Sequence, residues 1–447
     1  MKFTNILILS LLCLSQSIFS QITQPIYQIA KWFDDKKAAV SINFDDNLTG
    51  QFSTAIPIMN AKGVKGTFFV VTSTSGSQWA TLQSAIDAGH EVGSHSVSHP
   101  ADLNFPALSQ PQKEIAIEAE LKNSHDAILA NLTGQTTLSI SWPFGKGGGG
   151  NDSIVRRVAK KYYFAARNTT AGTANGDAYI HFQNTWFSAF GRDYYLQSGG
   201  ILMTSATTKA NIGTFISEII KTNGWFSPYY HAVNQTGGYN NVTTEVFQQH
   251  MDTLASQSDD VWITTFGNAS KYHRQRNSGG VNLVATTEDN ISWTLNLTDN
   301  LDNNTFNQPL TILLNEPVFG VKSITQNADS VPFTITSGVV KFNAVPDGGQ
   351  IIIGKNNFTN SAENINTAKP ALTIDSESVI LTINDANGKY GRVVLHDALG
   401  REIHLIFNGH FHSDIQQFRI QKQSLPKGYL IVRIGGDVNA SCKLLIN

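Results

Sequence analysis

The chain has 447 residues, of which 41% are hydrophobic and 15% charged, and its formal net charge is -2. That length allows two to four domains, the apolar share is enough for a packed core, and this composition excludes a disordered chain. The near-neutral balance provides no electrostatic footprint for a polyanionic partner such as nucleic acid, whereas a surface rich in Asn, Thr, Gly and Ser suits uncharged sugars.

Residues 1–20 read as an export signal. Lys2 supplies a small positive region, Ile6 to Leu14 an apolar run, and Ser17 to Ser20 small residues before a cleavage point at Gln21. The apolar run falls short of the ~20 residues that a spanning helix needs, and no later segment is long and apolar enough to cross a bilayer. Cys13 is a candidate for lipid attachment, but Leu12 stands where a small residue is expected. The other cysteine is Cys442. After cleavage the chain has no internal disulfide and no cysteine-based zinc site, so any metal rests on His and carboxylate ligands.

From Ala38 to about Ser278 short apolar strands alternate with helices. Ala39-Val40-Ser41-Ile42-Asn43-Phe44 alternates as a strand and ends at Asp45-Asp46. Ala55 to Lys62 predicts a helix closed by Gly63, Thr67 to Thr72 a strand, Trp79 to Ala88 a helix closed by Gly89, and Glu91 to His95 another strand. Repeated strand–helix–strand units imply a parallel sheet with helices outside, as an open sheet or a barrel, with the chemistry at the carboxyl ends of the strands. After Ser278 the helical periodicity stops. Residues 279–355 are short alternating runs between Asn, Asp, Gly and Pro turns, which reads as a small β-sandwich. Residues 356–371 are a polar linker, and 372–447 are again short strands.

Two motifs carry chemistry: Asn43-Phe44-Asp45-Asp46, and Gly93-Ser94-His95-Ser96-Val97-Ser98-His99-Pro100. Histidines at i and i+4 on a helical turn or tight loop reach one ion, and two His with one carboxylate leave positions open for water and substrate. Of two adjacent carboxylates, one ligates and the other takes a proton from water. Either motif alone is more often a turn or surface decoration; their joint occurrence at consecutive strand ends points to a metal site.

These residues resemble the polysaccharide deacetylases, the NodB-homology group or carbohydrate esterase family four, over roughly Lys37 to Ser278. The resemblance implies a distorted (β/α) barrel, followed here by two small all-β sandwiches, that hydrolyses N- or O-acetyl groups on a glycan. It implies Asp46, His95 and His99 as ligands of a divalent metal, usually zinc (Zn2+), with cobalt (Co2+) or nickel (Ni2+) tolerated, and Asp45 as general base. The family's Arg-x-Pro-Tyr-Gly motif is matched by Ser141-Trp142-Pro143-Phe144-Gly145, so Ser141 stands where an Arg pairs with the base. Arg167 is the candidate replacement, or else a surface residue. The backbone N–H of Phe144 is implied to bind the oxyanion, and Gly147 to Gly150 suggest a mobile rim. His231, in Tyr229-Tyr230-His231, matches the acid that protonates the leaving group, with Asp177 and Asp193 as candidates to orient it. His90 is expected to pack or hydrogen-bond beneath the site. Of the aromatics Trp142, Phe144, Trp186, Trp225 and Tyr229, more are expected in the core than in a platform, and Trp142 and Trp225, adjacent to motif residues, are the ones expected to form sugar-stacking walls.

Asp397-Ala398-Leu399-Gly400-Arg401-Glu402 and Ser424 to Arg433 are similar to the C-terminal sorting domain of type IX secretion. That similarity implies a secreted or cell-surface protein, exported through the periplasm of a Gram-negative bacterium and handled by its secretion machinery. The alternative to an active deacetylase is a glycan-binding protein that kept the fold and lost turnover.

Overall fold

The computed structural model describes residues 27–76, 78–147, 153–169, 194–195, 197–286, 292–315, 321–336, 338–355, 371–374, 377–384, 386–397, 401–437 and 440–446. The export signal with Cys13, the linker up to residue 370, Gly148 to Gly150, Asp177, Trp186 and Asp193 lie outside them. The described residues form two compact units, Tyr27–Ile365 and a second from Asn366 onward.

In the first unit β1 (Tyr27–Ile29) precedes a strand–helix series. The series runs β2 (Ala38–Asp45), α1 (Ile56–Ala61), β3 (Gly66–Val70), α2 (Trp79–Asp87), β4 (Glu91–Ser94), α3 (Gln110–Asn131), β5 (Leu138–Ser141) and α4 (Ser153–Ala159). It continues through β6 (Tyr163–Thr169), β7 (Gln197–Leu202), α5 (Lys209–Thr222), β8 (Trp225–Tyr230), α6 (Thr244–Ala255), β9 (Val261–Thr264) and α7 (Phe266–Ser278). Parallel pairings connect β2 to β3 and onward to β8, and β8 pairs back to β2, closing a ring. β9 pairs with the first half of β2 and β3 with the second. The ring is distorted where it is thinnest, since β4 meets β5 through the single pair Ser94–Ile140.

β2 shows why this sequence makes a barrel stave. All eight of its residues are buried, as a parallel strand covered on both faces requires. Its period of two sends Val40, Ile42 and Phe44 to the helix layer, where they pack with Phe68, Phe226 and Tyr230. Ser41 and Asn43 turn inward instead, and Asn43 Nδ2 donates to Ser227 Oγ at 2.8 Å and to the Pro228 carbonyl at 3.0 Å. The alternation of β8 matches: Trp225, Ser227 and Tyr229 share the inward face and lead up to His231.

After α7 the chain builds antiparallel sheets from β10 (Gly280–Thr286), β11 (Ser292–Thr298), β12 (Leu310–Asn315), β13 (Val321–Gln326), β14 (Asp329–Ser330), β15 (Phe333–Thr336), β16 (Val339–Ala344) and β17 (Ile351–Lys355). One sheet has the order β1-β12-β16-β15 and the other β10-β11-β17-β13-β14, so β1, which precedes the barrel, is a sandwich strand. The sandwich and the barrel share one core: Trp293, Leu295, Ile312, Phe342 and Ile353 pack in the same cluster as Trp32, Phe266, Ala269 and Tyr272. Tyr272 Oη donates to the Ala30 carbonyl at 2.9 Å, and Gln275 and Gln308 pair reciprocally.

The second unit is all-β: β18 (Ala371–Ile374), β19 (Ser378–Asn384), β20 (Tyr390–Asp397), β21 (Glu402–His410), β22 (Ile415–Gln421), β23 (Gly428–Gly436) and β24 (Ala440–Ile446). Its sheets, β18-β19-β22 and β21-β20-β23-β24, enclose a core of Val379, Leu381, Val393, Leu395, Val432 and Leu444. Among the described residues no helix is long and apolar enough to cross a membrane.

Candidate metal centre

The candidate residues gather at the carboxyl ends of the barrel strands. Asp45 ends β2 and Asp46 follows at φ 72°. The left-handed turn lets neighbouring carboxylates diverge, one to an arginine and the other to the histidines. His95 Nε2 lies 3.5 Å and His99 Nε2 3.6 Å from Asp46 Oδ1, and the donor atoms of all three lie within 4.8 Å of one another. His231, just past β8, places Nε2 3.7 Å from the other oxygen, Asp46 Oδ2.

The histidine pair sits in a tight loop after β4, with Ser96 at φ 69° and His99 at φ 54°. Such strain persists only where the surroundings hold it, and here Glu120 of α3 does so. Its carboxylate accepts from the Val97 and Ser98 N–H groups at 3.0 and 2.9 Å and from the Ser98 hydroxyl at 2.6 Å. His95 Nδ1–H donates to the Ser141 carbonyl at 2.8 Å. A carbonyl only accepts, so this bond fixes the tautomer and turns the Nε2 lone pair toward Asp46.

Burial holds His95 down to about 4 and lowers His99 as well, so both rings are neutral near pH 7. Burial, then the charge of Asp45, pushes Asp46 up to about 6. Two neutral imidazoles and a carboxylate crowded by a second negative charge are a donor set that a divalent cation relieves, so the residues fit a metal. For Asp45 burial also raises the pKa, but the Arg167 guanidinium, then His95 and His231, outweigh it and hold the carboxyl below its ordinary value. Burial lowers His231, with Asp45 and Asp46 pulling the other way.

Arg167, on β6, is fully buried. Its Nη2 donates to Asp45 Oδ1 at 2.6 Å, to Asp45 Oδ2, and to Ser141 Oγ at 2.6 Å. The guanidinium also lies over the Tyr229 ring, 4.5 Å from its centre. β7 passes so close that a Cβ on Gly200 would stand 2.8 Å from Arg167 Nη1. The guanidinium therefore reaches Asp45 from the neighbouring strand, and the Ser141 hydroxyl fills the remaining space.

Phe144 is 61% exposed, at φ 52°, with its ring 4.6 Å from that of His99. The two tryptophans expected as sugar-stacking walls are instead buried. Trp142 is 1% exposed and its indole N–H donates to the Tyr195 carbonyl at 3.0 Å. Trp225 is 7% exposed, donates to Ser41 Oγ and packs on Phe266 and Trp32. It starts β8 while His231 follows its end, about 20 Å further along at 3.3 Å per residue. Adjacency to a motif in sequence does not put a strand residue at the same end of the barrel. Tyr229 is buried as well. His90 lies away from the cluster, accepting from the Gly66 N–H and meeting Asn60 Oδ1 at 3.1 Å.

Several site residues escaped the sequence. Gln51 Nε2 donates to the carbonyls of Asp45 and His231, tying together the two loops that carry them, and Asn47 braces the turn by accepting from the Val71 N–H at 2.9 Å. Both lie close enough to Asp45-Asp46 to have been flagged as loop braces. Glu120, in mid-helix, carries no local signal. Tyr239, 63% exposed, sets its ring 4.7 Å from that of His231; an aromatic after Gly237-Gly238 in a turn was the available signal. His231 Nδ1 is buried with no hydrogen-bond partner among the described residues.

The chain is similar to several known proteins. A gellan lyase of a Bacillus species is 26% identical over 379 residues, covering 80% of this chain and 14% of its own length. YxkH of Bacillus subtilis (strain 168), named as a polysaccharide deacetylase, is 29% identical over 119 residues, covering 25% of this chain and 40% of its own. The chain thus spans less than half the length of either relative. Among solved structures, the family 4 carbohydrate esterase from Streptomyces lividans in complex with acetate is 14% identical, covering 51% of this chain and 92% of that one at a TM-score of 0.32. The polysaccharide deacetylase family model matches residues 34–166, a span that holds Asp45, Asp46, His95, His99 and Phe144.

Proposed function

We propose that the protein is a secreted, metal-dependent hydrolase that removes N- or O-acetyl groups from a polysaccharide. The observation that carries this reading is the convergence of Asp46, His95 and His99 on one point, with the Arg167-held Asp45 next in sequence to Asp46 and His231 3.7 Å from Asp46 Oδ2. Asp46, His95 and His99 would hold a divalent ion, zinc foremost and cobalt or nickel next. When bound, the ion supplies Lewis-acid chemistry, polarising the acyl group and acidifying water.

The chain's own residues do the rest. Asp45, kept ionised by Arg167, takes a proton from the attacking water as its oxygen bonds to the acyl carbon. The Phe144 N–H, in the role that the family resemblance gives it, donates to the developing oxyanion. His231 in its protonated form gives a proton to the sugar nitrogen or oxygen as its bond to the acyl carbon breaks, acetate leaves, and the proton held by Asp45 passes back to His231 or to water. The Arg167–Asp45 pair supports Arg167 as the tuning residue in place of the Arg missing at 141: an opposite charge in a buried site favours the ionised carboxylate.

Export through residues 1–20, sorting by a type IX C-terminal domain at 372–447, and a spacer or glycan-binding role for 279–355 complete the proposal. The second reading, a glycan-binding protein without turnover, is favoured only by Ser141 in the arginine's position. The test is acetate release from a panel of acetylated glycans, comparing amide with ester linkages, beside a zinc titration. About one zinc per chain and acetate release that disappears in Asp45→Asn and in His95→Ala are expected. Release unchanged in either variant sinks the assignment, and zinc binding with no acetate from any glycan transfers it to the binding protein.

A further inference from the structure

Two large aromatic rings stay exposed at the metal centre, and they stand on different histidines. Phe144 lies against His99, which faces Asp46 Oδ1; Tyr239 lies against His231, which faces Asp46 Oδ2. The Tyr239 ring meets the His231 ring at 86°. Its backbone is braced. The Ala232 N–H donates to the Tyr239 carbonyl at 3.1 Å, Val242 N–H to the Ala232 carbonyl at 2.9 Å, and Asn234 N–H to the Val242 carbonyl at 2.8 Å. Gln235 in the same loop accepts from the Gly50 N–H at 3.0 Å and donates its own N–H to Asn241 Oδ1 at 2.8 Å, which anchors the loop to the one that follows Asp46.

A ring that is held in place yet left 63% exposed is an apolar surface awaiting contact, because ordering it without covering it gains little burial. Position says what would cover it. The proton donor must touch the atom that leaves, and that atom belongs to the sugar, so the sugar ring lies beside His231 and hence beside Tyr239. The acetyl group lies toward Phe144. The axial C–H groups of a pyranose form a flat, weakly positive face, which complements the negative face of an aromatic ring.

We infer that Tyr239 is the specificity wall of the site, stacking on the pyranose that carries the leaving nitrogen or oxygen and selecting glycans over small acetyl esters. This rests on the reading of His231 as the proton donor. The test uses the zinc-loaded full chain, an N-acetylated chito-oligosaccharide, an acetylated xylo-oligosaccharide, and ethyl acetate as an ester without a sugar. In Tyr239→Ala, KM for at least one oligosaccharide rises about ten-fold, kcat on it falls by less, and KM for ethyl acetate rises by clearly less. Tyr239→Phe recovers most of the loss, since stacking needs the ring and not the hydroxyl. Equal changes on all three substrates, no change on either oligosaccharide, or a collapse of zinc affinity in Tyr239→Ala overturns the proposal and leaves the deacetylase reading in place. If the wild type releases no acetate, that reading fails, and direct titration of the same oligosaccharides decides: about ten-fold weaker binding by Tyr239→Ala upholds the wall, and equal or absent binding removes it.

Discussion

At the carboxyl end of the barrel Asp46, Asn47, Ser96, His99 and Phe144 all hold positive φ, and two aromatic rings stand exposed. At the amino end Trp32, Trp225, Phe266 and Tyr272 are buried in the core that the barrel shares with the middle sandwich. The same strands make both ends. β8 begins with a tryptophan sealed into that core and leads to a histidine on the metal cluster. Each kind of free energy has its own place: apolar burial accumulates where strands begin and are covered, while backbone strain and clustered titratable groups are tolerated where they end in loops. The two sandwiches differ in a related way. Among the described residues the buried side chains of the middle one join the barrel's core, whereas the C-terminal one encloses a core of its own.

Variants at the two ends should separate activity from stability. The largest effect belongs to His231→Asn, where acetate release is expected to fall ~10²–10⁴-fold, the size of a general acid's contribution, with little change in melting temperature. A melting temperature that falls with activity would break the division. Trp225→Ala is the reciprocal case: truncating a buried tryptophan costs about 3–5 kcal/mol, read as a lower denaturation midpoint, while zinc affinity of the folded fraction stays within a few-fold. Were zinc lost before the fold, the amino end would have a share in the site after all.

Glu120→Ala sharpens the comparison within the carboxyl end. It removes the acceptor that holds the strained histidine loop, and zinc affinity is expected to drop ~10–100-fold, as for other groups that orient ligands. An unchanged dissociation constant would show that the loop holds itself. A further expected effect is on pH dependence. Burial, and then Lys65, lower His90 from its ordinary 6.5 to about 4, so the folded state keeps it neutral while the unfolded state takes up a proton below 6.5. Its contribution is present in full above pH 6.5 and lost as pH falls toward 4, at up to ~1.4 kcal/mol per pH unit. Denaturation midpoints across that window should fall less steeply in His90→Gln; parallel slopes would remove His90 from the account.

What the sequence determined alone is what short range decides. Alternation in Ala39 to Phe44 and helix stops at Gly63 and Gly89 gave the strand–helix order, because period and turn chemistry act over a few residues. Asp45-Asp46 and the i, i+4 histidines were legible as a cluster because each pair is local and both lie at strand ends. The tertiary structure alone decided the rest. Arg167 meets Asp45 across 122 residues, Glu120 holds a loop 22 residues away, and Tyr239 covers His231 only because its turn folds back on Ala232. Trp142 and Trp225 show the same limit from the other side, since sequence adjacency to a motif says nothing about which end or which face of a stave a side chain occupies. Which charge pairs with which, and which ring meets solvent, follow from closure of the barrel, and closure is a long-range property of the whole sheet.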